Sequence, residues 1–179
     1  MNTLNIRKSE ASTPASRRFD FSVPTSDDGK SVWRLIEICP PLEANSQYCN
    51  LLQCTHFAET CVLAERNGEA VGWLSAYRLP EDPETVFIWQ VAVHPGARGE
   101  GLGSALIDRL LARPGLAGVK RIMTTITPGN RASWALFESL AKRRNAPFRQ
   151  EEWLKRGVHF SGDHETECLL TIGPLGGRQ

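Results

Sequence analysis

The chain lacks an excess of charge of either sign, a Cys-x-x-Cys pair and any long apolar run. Its 179 residues hold 21 Lys+Arg against 20 Asp+Glu, a formal net charge of +1. That balance argues against a protein held to nucleic acid mainly by a basic surface, and excludes a strongly acidic, salt-adapted one. No stretch approaches the roughly 18 apolar residues needed to cross a membrane, and the first residues lack the apolar segment of a secretory signal peptide. The cysteines are five, Cys39, Cys49, Cys54, Cys61 and Cys168. An odd number without paired spacing supports neither a disulfide framework nor a structural zinc site. The expectation is a cytoplasmic protein with reduced, mostly buried thiols and no metal.

What is present suits one globular domain: 41% hydrophobic and 23% charged residues. Residues 1–18 carry no hydrophobic period, and Arg7, Lys8, Arg17 and Arg18 outweigh Glu10. They read as a flexible N-terminal tail. Residues 19–173 read as a single domain, and 174–179 as a second flexible tail.

Hydrophobic spacing orders the elements. Phe19 to Val23 alternates as a short strand. Asp27 or Asp28 can cap a helix through Trp33, Leu35, Ile36 and Ile38, stopped by Pro40-Pro41. Asn45 or Ser46 can cap a second helix, whose Tyr48, Leu51, Leu52 and Phe57 read as its buried stripe. His56 reads as a core residue. Two strands flank Asn67-Gly68, the strongest short hairpin signal. Val86 to Val93 is apolar enough for a central strand. Leu102, Leu106, Ile107, Leu110 and Leu111 repeat as a helix, 119–127 is rich in β-branched residues, and Asn130 can cap a last helix bearing Leu136, Phe137, Leu140 and Ala141. One or two strands close the chain, the last at Cys168 to Ile172. This mixed order implies an α/β or α+β sheet layered with helices.

The segment after the central strand is the most informative. Arg98-Gly99-Glu100-Gly101-Leu102-Gly103-Ser104 turns a strand into a helix. Glycines let a ligand approach the backbone, and the first-turn amides of a helix lack intrahelical partners. Such a terminus favours an anion, and Arg98 adds a fixed positive charge. A diphosphate is the natural guest. The Gly-Lys-Ser/Thr of a P-loop is absent, and the dinucleotide fingerprint lacks its third glycine.

Arg98-x-x-Gly101-x-Gly103 resembles the acetyl-CoA diphosphate loop of the GCN5-related N-acetyltransferase (GNAT) superfamily, and the element order agrees over roughly 19–172. The resemblance implies a mixed, mostly antiparallel, splayed sheet flanked by helices. It implies that Val91 and Val93 offer backbone hydrogen bonds to pantetheine. Residues Arg98, Gly99, Gly101, Leu102, Gly103 and Ser104 would hold the diphosphate, with Asn130 and Ser133 near the thiol end. Further blocks resemble one member family, the L-2,4-diaminobutyrate acetyltransferases of ectoine biosynthesis: 41–48, Cys54-Thr55-His56-Phe57, 86–93, 124–137 and His164-Glu165-x-Glu167. The family usually has Asp where this chain has Glu43. The reaction implied is acetyl transfer from acetyl-CoA to the 4-amino group of L-2,4-diaminobutyrate, in a homodimeric enzyme.

An alkyl ammonium of pKa near 10.4 is only about 0.04% neutral at pH 7, so freeing the amine costs roughly 4.6 kcal/mol. Burial and a nearby base should lower that cost. Glu43, His164 and Glu165 are the catalytic candidates. Glu43, Asn45, Ser46, Tyr48, Trp89, Gln90, Glu165 and Glu167 are the candidates for lining the amine site. Many GNAT enzymes carry a tyrosine seven residues after the helix-opening Asn to protonate the leaving thiolate. Here that position is Phe137, which has no proton to give. Direct amine attack is expected rather than an acyl-enzyme. Two readings compete: transfer to another small amine or a protein amine, and a non-catalytic acyl-CoA-binding module.

Overall fold

The computed structural model describes residues 19–176. The tail expected at 1–18 lies outside the described residues, as do 177–179. Seven strands are β1 Asp20–Ser22, β2 Val62–Arg66, β3 Glu69–Leu79, β4 Asp82–Val93, β5 Arg121–Ile126, β6 Phe148–Leu154 and β7 Glu167–Ile172. The helices are α1 Gly29–Glu37, α2 Gln47–Thr55, α3 Leu102–Leu111, α4 Arg131–Arg143 and the short α5 Arg156–His159. The strand order is β1-β2-β3-β4-β5-β7-β6. The β4–β5 pair is parallel, while β1–β2, β2–β3, β5–β7 and β6–β7 are antiparallel. The expected mixed, mostly antiparallel sheet with helices is therefore present. Two compact units divide the chain, one ending at Ser75 and regaining Gln90–Leu116, the other Ala76–Trp89 with 117 onward.

In the first unit, a helical turn precedes α1. The Asp28 carboxylate does not cap forward; it accepts from Thr25 N–H at 2.8 Å and Thr25 Oγ1 at 3.0 Å. The core gathers Val32, Leu35, Ile36, Cys39, Cys54, Cys61, Leu63, Trp73 and Ala92. Asn67 and Gly68 have φ of 54° and 80°, as the hairpin reading required. Helix α3 buries Leu102, Leu106, Ile107 and Leu110, the period read from sequence. It can lie close on the sheet because Gly72 has no Cβ; one there would come within 3.0 Å of Leu102 Cδ2.

Helix α2 corrects the expected stripe. Ser46 caps it, its Oγ accepting from Cys49 N–H at 3.1 Å. The buried face is Asn50, Gln53 and Cys54, whereas Tyr48, Leu51 and Phe57 are exposed. His56 is exposed too, not a core residue. The two buried amides share one bond, Asn50 Nδ2 donating to Gln53 Oε1 at 2.9 Å, while Asn50 Oδ1 and Gln53 Nε2 have no partner among the described residues.

In the second unit, the β4–β5 register runs Thr85–Arg121, Val86–Ile122 and Phe87–Met123. Beyond it, among the described residues of this unit, Ile88 and Trp89 have no register partner on β5, whose Thr124 to Ile126 go on pairing with β7. The parallel pair thus opens toward the C-terminal ends of its strands. Its closed end is stapled by Arg121, whose Nη2 lies 2.8 Å from Asp82 Oδ2 and whose Nε donates to Thr85 Oγ1 at 3.0 Å. Strand β6 is the second closing strand, which the sequence allowed without placing it. Residues 149–153 of it are all exposed, so Phe-Arg-Gln-Glu-Glu-Trp-Leu shows no alternation. The segment expected as a C-terminal tail is tied down at its start, Leu175 N–H donating to Lys120 O at 2.7 Å.

Candidate active site

The phosphate cradle lies wholly in the first unit. Gly99 and Gly101 both have φ of 78°, a conformation that side chains with a Cβ rarely adopt. Gly101 is the N-cap of α3 and brings no side chain to its first turn. Ala105 N–H is the first amide bonded back, to Gly101 O at 3.0 Å. The amides of Leu102, Gly103 and Ser104 thus stand at the helix head, where the dipole favours negative charge. Glu100, inside the cradle, is neutralised by Arg66, with Nη2 and Oε1 2.7 Å apart. Arg66 in turn stacks over the Phe19 ring at 4.6 Å.

Backbone direction supports the expected use of Val91 and Val93. His94 N–H donates to Val71 O on β3 at 2.8 Å. Backbone groups alternate along a strand, so the amides of Val93 and Val91 point away from β3. The Val93 carbonyl on that side is already engaged, accepting from Cys39 Sγ and from Arg98 Nε, each at 3.3 Å. What Val93 retains for a ligand is its N–H. Arg98 is exposed and begins the glycine turn. Sequence reasoning missed two residues here. His94 Nδ1 accepts from Gly96 N–H at 3.0 Å and shapes the turn entering the cradle. Cys39 holds the same turn through Val93. The His-Pro-Gly run was a legible signal for the first; nothing in the sequence announces the second.

The first unit also joins Glu43, Asn45 and Gln90. Gln90 Nε2 donates to Glu43 O at 2.9 Å, and Asn45 Nδ2 donates to Gln90 Oε1 at 2.8 Å. Gln90 is buried on β4 and Glu43 is exposed. Ser46 and Tyr48 stand outside this network: the hydroxyl caps α2, and Tyr48 is 69% exposed.

The second unit forms its own cluster. Asn130 caps α4, Oδ1 accepting from Ser133 N–H at 3.2 Å, so one end of this amide serves the helix. Trp134 Nε1 donates to Thr127 O at 3.1 Å and fixes the helix head to the end of β5. Over that turn lies Glu165: a Cβ built on Gly129 would be 3.7 Å and 3.8 Å from its carboxylate oxygens. His164 Nδ1 lies 2.6 Å from Glu165 O. A carbonyl only accepts, so Nδ1 carries a proton in this contact, which leaves Nε2 as the ring's other exchangeable position. That nitrogen faces Glu167 Oε1 at 3.6 Å. His164 and Glu167 are sheltered, with side chains 21% and 18% exposed, whereas Glu165 is exposed. Phe160 packs on the imidazole, with centroids 4.5 Å apart. Trp89 is 46% exposed on β4. Arg78 donates to backbone oxygens, to Pro83 O and, at 3.2 Å, to Ala117 O.

Burial raises four of the five thiols. Burial pushes the Cys54 thiol up to about 12, with Cys61 and Asp28 adding to it. Burial also raises Cys39, more than the Arg98 guanidinium lowers it, and it raises Cys49 and Cys168. A nucleophilic thiolate needs the opposite. Among the described residues no cluster of His, Cys, Asp and Glu fits a metal ion, and no helix is long and apolar enough to cross a membrane.

Comparison with known proteins agrees with this geometry. The model of the acetyltransferase (GNAT) family matches residues 30–141. The L-2,4-diaminobutyric acid acetyltransferase of Methylotuvimicrobium alcaliphilum is 50% identical over 155 residues, 87% of this chain and 90% of that protein. The protein of the same name from Vibrio cholerae is 47% identical over 152 residues, 85% of this chain and 88% of its own. A solved structure, the diaminobutyrate acetyltransferase EctA of Paenibacillus lautus with L-2,4-diaminobutyric acid and coenzyme A, superposes with a TM-score of 0.85. It is 36% identical and covers 90% of this chain and 98% of its own.

Proposed function

The chain belongs to the acetyltransferase (GNAT) family, and from that premise we propose that it transfers the acetyl group of acetyl-CoA to the 4-amino group of L-2,4-diaminobutyrate. The observation that carries this reading is the likeness, over most of the chain, to relatives of that one activity, one of them solved with the diamine and coenzyme A. The product, N4-acetyl-L-2,4-diaminobutyrate, feeds ectoine formation. Residues 19–173 act as one acetyltransferase domain, in a cytoplasmic homodimer.

The residues take these parts. The amides at the head of α3, with Arg98, Gly99 and Gly101, hold the diphosphate of coenzyme A. The N–H groups of Val91 and Val93 hold pantetheine, and Asn130 and Ser133 sit near its thiol end. In the first unit Glu43 attracts an ammonium group, with Asn45, Ser46, Tyr48 and Gln90 around it; in the second unit Glu165 and Trp89 are the residues offered to the diamine. The proton of the 4-ammonium passes to the His164–Glu167 pair, in which Nε2 lies 3.6 Å from a sheltered carboxylate. Glu165 holds His164 Nδ1 through its backbone carbonyl. The freed amine then attacks the thioester carbon, the carbon–sulfur bond breaks, and the thiolate takes a proton from water or from the attacking ammonium. Phe137, 2% exposed, serves packing and not this step.

The test is incubation of purified protein with acetyl-CoA and L-2,4-diaminobutyrate, following release of free coenzyme A and assigning the product by NMR. Efficient formation of the N4-acetyl isomer is expected. No turnover with intact coenzyme A binding, or faster turnover of ornithine, lysine or a peptide, would discard the diaminobutyrate assignment.

A further inference from the structure

Glu43 lies on the least regular stretch of the first unit. Between the end of α1 and the start of α2, Pro40, Pro41, Glu43, Ala44 and Ser46 are all exposed. Leu42 packs partly on the core, and its N–H donates to Cys39 O at 3.1 Å. An acidic side chain on such a stretch exerts a defined field on a ligand only if something holds the backbone that carries it.

We infer that Gln90 is a positioning residue: it clips the Glu43–Asn45 backbone to strand β4 and so sets where Glu43 meets the diamine. This rests on the reading of the site given above. Gln90 is 8% exposed, and both ends of its amide are used by the protein, one by Glu43 O and the other by Asn45 Nδ2. The two contacts reach across 47 and 45 residues of sequence. A primary amide suits this place because it donates and accepts at once. A carboxylate would set an oxygen against the Glu43 carbonyl, and a thioether would fill the space with neither bond. A second pin lies three residues along the same strand, where Cys39 Sγ donates to Val93 O. Arg98 Nε donates to that same carbonyl. Residues 90–93 of β4 are thus the common support for the acidic segment and for the first residue of the cradle. Gln90 was read from the sequence as a direct contact to substrate; the geometry assigns its effect to Glu43 instead.

A double-mutant cycle tests this, with Gln90→Met, Glu43→Gln and the pair, in steady-state assays with L-2,4-diaminobutyrate. Hydrogen exchange across residues 41–46 is measured in parallel. Two lost hydrogen bonds set the scale of about tenfold. Gln90→Met should raise KM for the diamine about tenfold, with a smaller change in kcat and KM for acetyl-CoA within about twofold. Combined with Glu43→Gln it should add almost nothing, because both changes disable one interaction. Exchange at 41–46 should speed up while α3 keeps its protection. Gln90→Glu, of nearly the same size, should behave like Gln90→Met. Effects that multiply would mean that Gln90 meets the substrate itself, and would overturn the proposal. So would a silent Glu43→Gln beside a damaging Gln90→Met, or unchanged exchange at 41–46. If Gln90→Met does not fold, Asn45→Ala opens one of the two contacts from the exposed segment and must show the same exchange signature. Wild-type protein inert toward the diamine would sink the assigned reaction, and the exchange data alone would then decide the clip.

Discussion

The cradle around Gly99–Ser104 and the acidic cluster around His164–Glu167 are built on opposite plans. The cradle is made of backbone. Two left-handed glycines and an uncapped helix head present amides, and one nearby cation, Arg98, completes it. The acidic cluster is made of side chains whose roles depend on one another: a carbonyl holds His164 Nδ1, and a carboxylate faces Nε2. A backbone site is written in adjacent residues, because the positive φ and the helix start are local properties. The side-chain site is also written in adjacent residues, His164 to Glu167, but what each does depends on how their side chains meet. The first should fail through binding and the second through turnover, and the variants below separate the two.

The largest effect is expected at Glu167. Glu167→Gln keeps size and removes the negative charge beside His164 Nε2. General-base contributions run to about 10²–10⁴ in rate. We expect kcat to fall at least a hundredfold while the dissociation constant of coenzyme A changes less than twofold. Glu165→Gln should cost far less, because its backbone carbonyl remains. Equal losses in the two variants would remove the distinction drawn between them.

The same contrast explains what the sequence made legible. Arg98-x-x-Gly101-x-Gly103, the hairpin at Asn67-Gly68 and the faces of α3 and α4 could be read because each depends on a few adjacent residues or one period. The roles of Gln90 and Cys39 could not, since each is defined by a carbonyl far along the chain, Glu43 O and Val93 O. Gln90 looked like a polar residue aimed at substrate until Glu43 O and Asn45 Nδ2 were found on it. Helix α2 misled as well. Apolarity suggested that Tyr48, Leu51 and Phe57 face inward, but Asn50, Gln53 and Cys54 form the buried face. Strand β6 could not be placed because a strand exposed over 149–153 carries no hydrophobic alternation.

On the backbone side, Gly101→Val should mainly damage acetyl-CoA binding. Residue 101 sits at φ 78°, where a β-branched side chain is strained. Relaxing that strain turns the first amides of α3 away from the diphosphate. We expect KM for acetyl-CoA to rise roughly 30-fold, with KM for the diamine changed little, a loss of about 2 kcal/mol in binding. A drop in kcat at saturating acetyl-CoA, with unchanged KM, would show that the cradle orients the thioester rather than grips the diphosphate.

Phe137→Tyr probes neither site. Phe137 is buried on α4, and the new hydroxyl has to be desolvated. A buried hydroxyl without a partner costs about 1–3 kcal/mol, so Tm should fall by about 3–8 °C while kcat per folded molecule stays within twofold. A clear gain in kcat would mean that departure of the thiolate is limited by want of an acid.

The smallest effect concerns the one carboxylate inside the cradle loop. Glu100 would repel a diphosphate, and Arg66, 2.7 Å away, cancels it. The pair is partly exposed, so solvent and salt screen it. Arg66→Ala should raise KM for acetyl-CoA about threefold at low ionic strength, and less than twofold at several hundred millimolar salt, where screening lengths fall to a few ångströms. Arg66→Ala with Glu100→Gln should return KM close to the wild-type value, because the repulsion goes with the charge. Failure of that rescue would mean that Arg66 acts through its packing on Phe19, at 4.6 Å, and not through charge. The cradle would then depend on a side-chain scaffold after all, and the contrast between the two sites would narrow.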